Sequence, residues 1–466
     1  MSPLSRRRSA AIVSLGVALA ASLSACGSDD EGGSDDGGQL KVWIIEDLPD
    51  RVKATQDIVD DFSKDSGIDV KLTAVAEDQF NQLLTSNAAA GELPDVIGGI
   101  PMGQARIMSA NELLDTDAMA EVIETLGEGT FSERALELTS QDDTPISVPS
   151  ESWTQVLVYR KDLFEKAGLE EPSTYDAIRA AAQELDSPDT AGFVGANIAG
   201  DAFTEQTFEH IALGNNCQLV DDSGEVTFDS PECVEALDFY GELQQDYSVS
   251  GEQDVDTVRA QYFAGKAAMI IWSTFILDEL AGLRNDALPT CQECKKDPAW
   301  LAENSGVLSA IAGPSGDEPA VFGEVTSWEI TADSATDSAK EFVEYMMSDG
   351  YEAWLAIAPE GKVPVRRGTE DEPEKYLDAW ANMDVGVDTK APLSDFYGPE
   401  VIESLTGGVD QLARWAIPQG QGDLLGAIQG EQPVANAVNE VSNGTPAEEA
   451  AQQAQDAISE AAESVQ

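Results

Sequence analysis

Residues 148–164 constrain the fold of this chain most strongly, because they predict three kinds of structure in a row. An extended segment leads into an apolar run, Val156–Tyr159, which is rich in β-branched and aromatic side chains, as expected of a buried strand. A helix follows, which Asp162 can cap and Gly168 can end. Residues 150–153 precede the strand, where a chain passing between two α/β lobes would be accessible to a ligand.

The beginning of the globular part alternates between strand and helix patterns. The apolar and amphipathic segments predict, in order, a strand over residues 40–45, a helix over 50–66, a strand over 68–75, a helix over 78–90 and a strand over 96–100. Such a βαβαβ order indicates a parallel, doubly wound sheet and an α/β fold.

Two acidic residues follow the first predicted strand. In α/β sheets, ligands bind at the carboxyl ends of the strands, so we expect Glu46 or Asp47 to contact a ligand there. The alternative is an ordinary solvated loop, because the chain contains 87 Asp and Glu residues.

The formal net charge is −61, with only 26 Lys and Arg residues. Such a surface repels nucleic acid and anionic lipid headgroups, and it disfavours anionic ligands. It also suggests a high-salt habitat, where screening relieves self-repulsion. Equal stability in low and in molar salt would contradict that hypothesis.

The first 25 residues predict an export signal. Three arginines, residues 6–8, precede the apolar run of residues 10–23, which is too short to span a bilayer. Leu-Ser-Ala before Cys26 resembles a bacterial lipobox, which implies a lipid on the Cys26 thiol and cleavage before it; a simple secreted signal is the alternative. Both general secretion and twin-arginine export remain open. Residues 26–38 are mainly Gly, Ser, Asp and Glu and predict a flexible acidic tether.

The four remaining cysteines form an even set in an exported chain, which suggests two disulfides. Three pairings are open, and we favour Cys217–Cys233 and Cys291–Cys294. The second pair is a Cys-x-x-Cys, for which a redox or metal role is the alternative. The only histidine is His210, so we expect no metal site.

Several motifs together resemble a known family. Residues 261–272, Gln-Tyr-Phe-Ala-Gly-Lys-Ala-Ala-Met-Ile-Ile-Trp, resemble an F-x-x-G-x-A-A-M helix-turn-strand pattern, with Tyr262 at its first position. Three further segments carry the same resemblance: Pro94-Asp95 before an apolar strand, residues 148–172 and residues 361–366. Over residues 40–464 the chain resembles the extracellular solute-binding proteins of sugar-type ABC importers, which are maltose-binding-protein-like and often lipoproteins.

The resemblance implies a two-lobed, periplasmic-binding-protein-like (type II) α/β fold with three interlobe crossings and hinge closure. The expected divisions are a signal peptide at 1–25, a tether at 26–38, a first lobe of 39–148 plus 312–360, and a second lobe of 149–311 plus 361–466. It also implies a monomer, lipid-anchored at the extracellular face of the membrane, that delivers a mono- or oligosaccharide to an ABC permease and needs no cofactor.

Sugar binding needs aromatic rings for the C–H faces and polar groups for the hydroxyls. By the resemblance, the stacking candidates near the crossings are Trp153, Trp272, Phe275 and Trp328. The family pattern has a glycine where this chain has Trp272, which leaves the identity of the stacking ring open. The polar candidates are Glu205 and Arg366; the alternatives are core tryptophans and a structural salt bridge. We expect Trp43, Trp300 and Trp354 to be packing residues.

Other functions remain as alternatives. A binding protein could take a polyamine or a glycerol phosphodiester, and the chain could be a secreted carbohydrate-active enzyme or an adhesin. The sequence has no Gly-x-Ser-x-Gly elbow, no Walker phosphate loop and no His-Glu-x-x-His, so we do not expect an enzyme.

Overall fold

A computed structural model describes residues 38–464 of the chain. The predicted signal peptide and the lipid site at Cys26 lie outside the described residues, as does nearly all of the tether. No helix within the described part combines the length and the apolar character that crossing a membrane requires.

The described residues contain thirteen strands, six of which have only two residues. They are β1 (Leu40–Ile45), β2 (Val70–Val75), β3 (Val96–Pro101), β4 (Ser140–Gln141), β5 (Thr144–Pro145), β6 (Val148–Arg160), β7 (Met269–Ser273), β8 (Ser305–Leu308), β9 (Val321–Ile330), β10 (Val363–Pro364), β11 (Asp384–Val385), β12 (Ala391–Pro392) and β13 (Leu412–Ala413).

The same residues contain nineteen α-helices. They are α1 (Pro49–Ser66), α2 (Glu77–Ala90), α3 (Met102–Ala110), α4 (Thr116–Leu126), α5 (Glu133–Leu138), α6 (Lys161–Ala167), α7 (Tyr175–Leu185), α8 (Ala202–Leu213), α9 (Pro231–Asp246), α10 (Val255–Phe263), α11 (Ile276–Leu280), α12 (Trp300–Glu303), α13 (Thr336–Met346), α14 (Tyr351–Leu355), α15 (Lys375–Ala381), α16 (Pro399–Gly408), α17 (Asp423–Ile428), α18 (Pro433–Ser442) and α19 (Ala447–Ser464).

The βαβαβ prediction for the amino-terminal part is confirmed. Strand β1 pairs in parallel with β2 on one side and with β3 on the other. Helix α1 buries Ile58, Val59 and Phe62, and it ends at Gly67, whose φ of 79° suits a residue without a Cβ. The parallel strands direct their carboxyl ends, which carry Glu46 and Met102, toward one edge of the sheet.

The long strand β6 connects the rest of the sheet. It pairs antiparallel with β9, β7, β8 and β10, and β9 continues to β3, so the main path is β10-β6-β9-β3-β1-β2. The sequence predicted only the apolar part of β6. The full strand has 13 residues, because its polar first half pairs with β9 and β10.

Two hydrophobic cores divide the compact body of residues 39–464. The first core packs around β1–β3 with α1, α4, α13 and α14. The second core is larger and packs around β7 and the second half of β6, with α7–α9 and the carboxy-terminal helices. The lobe boundaries that we assigned from the sequence stay predictions.

The chain passes from one core to the other along β6, along β9 and over residues 355–363. Along β6, Val148 belongs to the first core and Val156 to the second. Along β9, Val325 belongs to the second core and Trp328 to the first. Residues 355–363 make the third passage, from Leu355 to Val363. This agrees with the three crossings that the family resemblance implied.

Two local predictions were wrong. The sequence pattern predicts a strand over residues 193–198, but these residues form no continuous strand; Val194 makes only an isolated bridge to Ile270. Asp162 does not cap α6, because its carboxylate is held 2.7 Å from the guanidinium of Arg160.

Both favoured cysteine pairs are joined in the structure. The Sγ atoms are 2.07 Å apart in Cys217–Cys233 and 1.91 Å apart in Cys291–Cys294, and all four side chains are buried. The first bridge fixes the loop before α9 to that helix.

Candidate functional site

Trp153 lies halfway along the crossing strand β6 and is half-buried. It is directly opposite Glu324 of β9, and its ring centroid is 5.9 Å from that of Phe322, two residues before Glu324. Residues two apart on a strand share a face, so Trp153, Phe322 and Glu324 form one surface. This surface lies where both crossing strands leave the second core.

Helix α8 brings two carboxylates to the same surface. It begins after Asp201, whose side chain accepts a hydrogen bond from the Thr204 amide at 2.9 Å. Glu205 and Glu209 are four residues apart and therefore share a helix face. Glu209 has no exposed surface and Glu205 is 6% exposed.

Arg414 joins these carboxylates to β9. Its Nε atom donates to Glu209 at 3.1 Å, and its Nη1 atom donates to Glu324. The other oxygen of Glu324 accepts the backbone N–H of Met102 at 2.7 Å. The group therefore connects the second core to the first residue of α3, at the carboxyl end of β3.

We call this group the Trp153 cluster; its members are Trp153, Gln155, Glu205, Glu209, Glu324 and Arg414. Some of its polar atoms are buried without a hydrogen-bond partner among the described residues: both side-chain atoms of Gln155, Oε2 of Glu205 and Oε2 of Glu209. A buried polar atom without a partner costs free energy, so these atoms are ready to accept or donate to another molecule.

The cluster also changes the acidity of its carboxyl groups. Burial, with the nearby charge of Glu209, raises the pKa of Glu205 to about 8, although Arg414 opposes the shift. Burial also raises the pKa of Glu209. Near neutral pH, Glu205 is therefore largely a neutral acid in the free protein. Within residues 38–464, no group of three or more acidic, His or Cys side chains is arranged to hold a metal ion.

A second polar group lies at the end of β1 and includes two predicted site residues. Glu46 is 3.4 Å from Arg51, which lies 3.8 Å from Glu360 and covers the ring of Phe275 at 5.3 Å. Both Glu46 and Phe275 are half-buried, whereas Asp47 is exposed. Arg51 thus connects α1 to Glu360 of the third crossing and to Phe275, which follows β7.

A third group, the hinge network, lies where β6 meets the third crossing. We define it as Ser150, Glu151, Tyr351, Trp354 and Lys362. Glu151 accepts from Lys362 at 2.5 Å and from the Trp354 indole at 2.7 Å, and Ser150 also donates to it. Lys362 lies 3.7 Å from the Trp354 ring centroid. Every charge in this network has a partner, which indicates a structural role.

Two of the predicted site residues are buried in the structure. Trp328 is 0% exposed and packs in the first core against Phe342 and Trp354, with its ring over Gly98. Its indole N–H has no hydrogen-bond partner among the described residues. Arg366 is 4% exposed, and its guanidinium donates to the carbonyls of Leu126 and Met347 and to Thr130. Both side chains are covered by other parts of the protein in this arrangement.

Trp272 is also a packing residue in this arrangement. It is 6% exposed, its indole N–H donates to the Val255 carbonyl at 2.9 Å, and its ring is 6.1 Å from that of Phe203. Trp153 is therefore the one of the three predicted tryptophans that keeps an accessible ring.

Sequence reasoning missed most of the polar partners. We did not single out from the sequence five polar residues of these groups: Gln155, Glu209, Glu324, Arg414 and Arg51. The spacing of Glu209 four residues after Glu205 was a usable signal, as was the polar Gln155 inside an otherwise apolar strand. Arg414 gave no signal, because it follows a two-residue strand in a region without clear periodicity.

Comparisons with known proteins agree with this architecture. Residues 46–353 match the family model described as bacterial extracellular solute-binding protein. YcjN of Escherichia coli (strain K12), named as an ABC transporter periplasmic-binding protein, is 31% identical over 314 residues, which cover 66% of this chain and 68% of YcjN.

Solved structures of similar fold cover nearly the whole chain. The GacH receptor of Streptomyces glaucescens, solved unliganded and with acarbose, aligns with a TM-score of 0.68 at 19% identity, covering 91% of this chain and 98% of GacH. A sugar transporter of Arthrobacter chlorophenolicus with bound laminaribiose gives 0.67 at 20% identity, covering 91% and 99%. Lmo0181 of Listeria monocytogenes, in complex with cycloalternan, gives 0.66 at 19% identity, covering 91% and 98%.

These structures have the type II periplasmic-binding-protein-like fold that the sequence predicted, and the family match spans well over half of the chain. The two cores, the three crossings and the polar surface between them fit that fold. The chain belongs to the bacterial extracellular solute-binding proteins, the binding components of ABC transporters.

Proposed function

We propose that this protein captures a mono- or oligosaccharide between its two lobes and delivers it to a membrane permease. The observation that carries the proposal is the accessible ring of Trp153 beside buried, unpartnered polar atoms. The sugars bound by the structural relatives, acarbose, laminaribiose and cycloalternan, support it.

Trp153 supplies the apolar half of such a site. Pyranose rings present C–H groups on their faces, and these pack well against a flat indole. Trp153 is half-buried and packs beside Phe322, which holds its ring in place while part of the side chain stays exposed. A rigid aromatic side chain loses little entropy when a ligand binds.

The polar half is supplied by Gln155, Glu205 and Glu209. The Gln155 amide can both donate to and accept from a sugar hydroxyl, and the carboxyl oxygens can accept. A ligand rich in hydroxyl groups would give partners to all of these atoms at once. Glu46 and Phe275, beside Arg51, form a second side of the proposed cleft.

An anionic solute fits this surface poorly. The Trp153 cluster has three carboxyl groups and one guanidinium, which is already bound to two of them. This disfavours a glycerol phosphodiester, although an sn-glycerol-3-phosphate-binding protein of Agrobacterium fabrum is 27% identical over 180 residues, 35% of this chain and 39% of that protein.

We further propose that the protein is a lipid-anchored monomer at the outer face of the cell membrane, attached through Cys26 and exported with both disulfides formed. Its partners would be the permease subunits. It would bind its ligand without turnover, as solute-binding proteins do.

A thermal-shift screen across mono- and oligosaccharides in molar salt tests the proposal, followed by calorimetric titration of each hit. A ligand at 100 times its dissociation constant should stabilise the protein by about 2.7 kcal/mol. Trp153→Ala should then weaken binding by about 1–2 kcal/mol, roughly tenfold.

Trp300→Ala is the matched control. Trp300 is also a half-buried indole of the second core, but it lies under Arg160 with its ring centroid 5.0 Å from the guanidinium. It should leave affinity unchanged. No stabilisation by any carbohydrate would contradict the proposal, and hydrolysis of a labelled oligosaccharide would favour an enzyme instead.

A further inference from the structure

The charges of the Trp153 cluster do not balance. Arg414 faces three carboxyl groups, and even with Glu205 in its neutral form, Glu209 and Glu324 place two negative charges against one guanidinium. Arg106, the other guanidinium that interacts with Arg414, donates to the carbonyls of Leu138 and Ser140 and lies 4.0 Å from Asp423. The buried surface therefore has an excess of negative charge.

Arg414 donates hydrogen bonds to Glu209 and Glu324. Glu205, one helical turn before Glu209, has no such bond, and its Oε2 atom is buried and unpartnered. The Oε2 atom of Glu209 is also unpartnered. Two carboxyl oxygens on one face of α8 thus lack a donor.

Gln155 is an independent sign that a ligand occupies this place. Its side chain has no exposed surface, and neither amide atom has a partner. It lies two residues after Trp153 and therefore on the same face of β6. An internal salt-bridge network alone would not explain an unsatisfied amide beside an accessible indole.

We propose that the preferred ligand is an amino sugar, whose protonated amine pairs with Glu205 and Glu209 while its ring stacks on Trp153. This inference rests on the sugar-binding function proposed above and names the class of sugar. A buried ammonium would supply a donor to both oxygens and offset one of the three carboxylate charges. The strongly acidic surface, with a net charge of −61, would also attract a cationic ligand.

Binding of the amine has a consequence for protons. The free protein keeps Glu205 protonated near neutral pH, and the groups that face it are Glu209 from its own helix, Glu324 from β9 and Arg414 near β13. An arriving ammonium stabilises the carboxylate, so Glu205 gives its proton to solvent. Each bound amino sugar should therefore release about one proton at pH 6.5, and a neutral sugar should release none.

Matched sugars test the inference by calorimetric titration at pH 6.5. The panel holds glucose, galactose and mannose, their 2-amino-2-deoxy forms and their N-acetylated forms, together with chitosan, chitin and cellulose oligomers of two to four units. The best amino sugar should bind at least about tenfold tighter than its neutral counterparts. Titrations in two buffers of different ionisation enthalpy report the released proton.

The possible results separate the two proposals. If neutral sugars bind and the amino forms bind no tighter, the amino-sugar inference is overturned and the sugar-binding function stands. If no carbohydrate of this panel or of the wider screen binds, both fall. Spermidine is included as a cation without a sugar ring, and binding of spermidine alone would overturn both.

Glu205→Gln tests the residue assignment without adding bulk or charge. It should reduce the preference for the amino sugar over its neutral counterpart to within about twofold and abolish proton release. The control is Glu184→Gln, because Glu184 is an exposed residue of α7. It should change neither the amino-sugar preference nor the proton release. An unchanged preference and an unchanged proton release in Glu205→Gln would overturn the inference.

Discussion

The crossing strand β6 carries two buried polar groups on one face, and they differ in how completely they are hydrogen-bonded. Glu151, in the hinge network, has Lys362 on one carboxylate oxygen and Trp354 on the other. Gln155, four residues further, is equally buried and has no partner on either amide atom. Trp153 lies between them.

The difference separates a structural site from the proposed binding site. The fold itself supplies every partner that Glu151 needs, so the hinge network is complete in the protein alone. The Trp153 cluster would be complete only with a second molecule. Mutations should therefore reduce stability at the hinge network and change binding at the Trp153 cluster.

The largest effect should come from Lys362→Met. It leaves the carboxylate of Glu151 buried without its cation, which should cost about 3–5 kcal/mol in the free energy of unfolding, measured with urea. Lys53→Met is the control, because Lys53 is also 2.5 Å from its partner, Asp57, but on the exposed face of α1. It should cost at most about 0.5 kcal/mol. Equal losses in the two variants would refute the structural role of the hinge network.

Trp354→Phe should have the next largest effect on stability. It removes the indole donor to Oε2 of Glu151, which keeps only the Ser150 hydroxyl, and losing a donor to a buried charged acceptor should cost about 1.5–3 kcal/mol. Trp153→Phe should cost less than about 1 kcal/mol, because Trp153 is half-buried, and should retain ligand stacking. Urea unfolding of both variants checks this order, and the reverse order would break the comparison.

The third prediction concerns pH. The pKa of Glu205 is raised to about 8 in the folded protein, so between pH 6.5 and 8 the folded state binds more protons than the unfolded state. Stability should therefore fall as pH rises, by about 2 kcal/mol from this group over that range.

Glu205→Gln should remove that loss, whereas the exposed control Glu184→Gln should keep it. Urea unfolding at both pH values measures the slopes. The same slope in Glu205→Gln as in the wild type would show that Glu205 is ionised throughout.

The smallest effect should come from Asp201→Ala. Asp201 caps α8, the helix that presents Glu205 and Glu209, and losing the cap should cost about 1 kcal/mol. Asp201→Asn keeps an accepting oxygen and should cost almost nothing. If neither variant changes stability or affinity, the cap does not fix the position of the carboxylates.

The sequence predicted the fold well because its signals were local. The alternation of strands and helices over residues 40–100 and the apolar half of β6 are periodic patterns, and each was found in the structure. The expectation of two disulfides came from the even number of cysteines in an exported chain, and both pairs that we favoured among the three possible pairings are joined. Gly168 ends α6 with a φ of 70°, as its position suggested.

The sequence predicted the candidate site only in part, because the site depends on pairings between distant segments. Trp328 was selected for its place near a crossing, yet strand register puts it opposite Gly98, where the space above a glycine accepts an indole. Arg414 reaches Glu324 and Glu209 across 90 and 205 residues of sequence. No local pattern records such a contact.

Fluorine NMR of the protein labelled with 5-fluorotryptophan tests the central claim most directly. The chain has eight tryptophans, and single Trp→Phe variants assign the resonances of Trp153, Trp328 and Trp354. On titration with the best sugar from the screen, the Trp153 resonance should shift and saturate with the calorimetric affinity, while those of Trp328 and Trp354 should move much less. Saturation of binding with an unmoved Trp153 resonance would contradict the account.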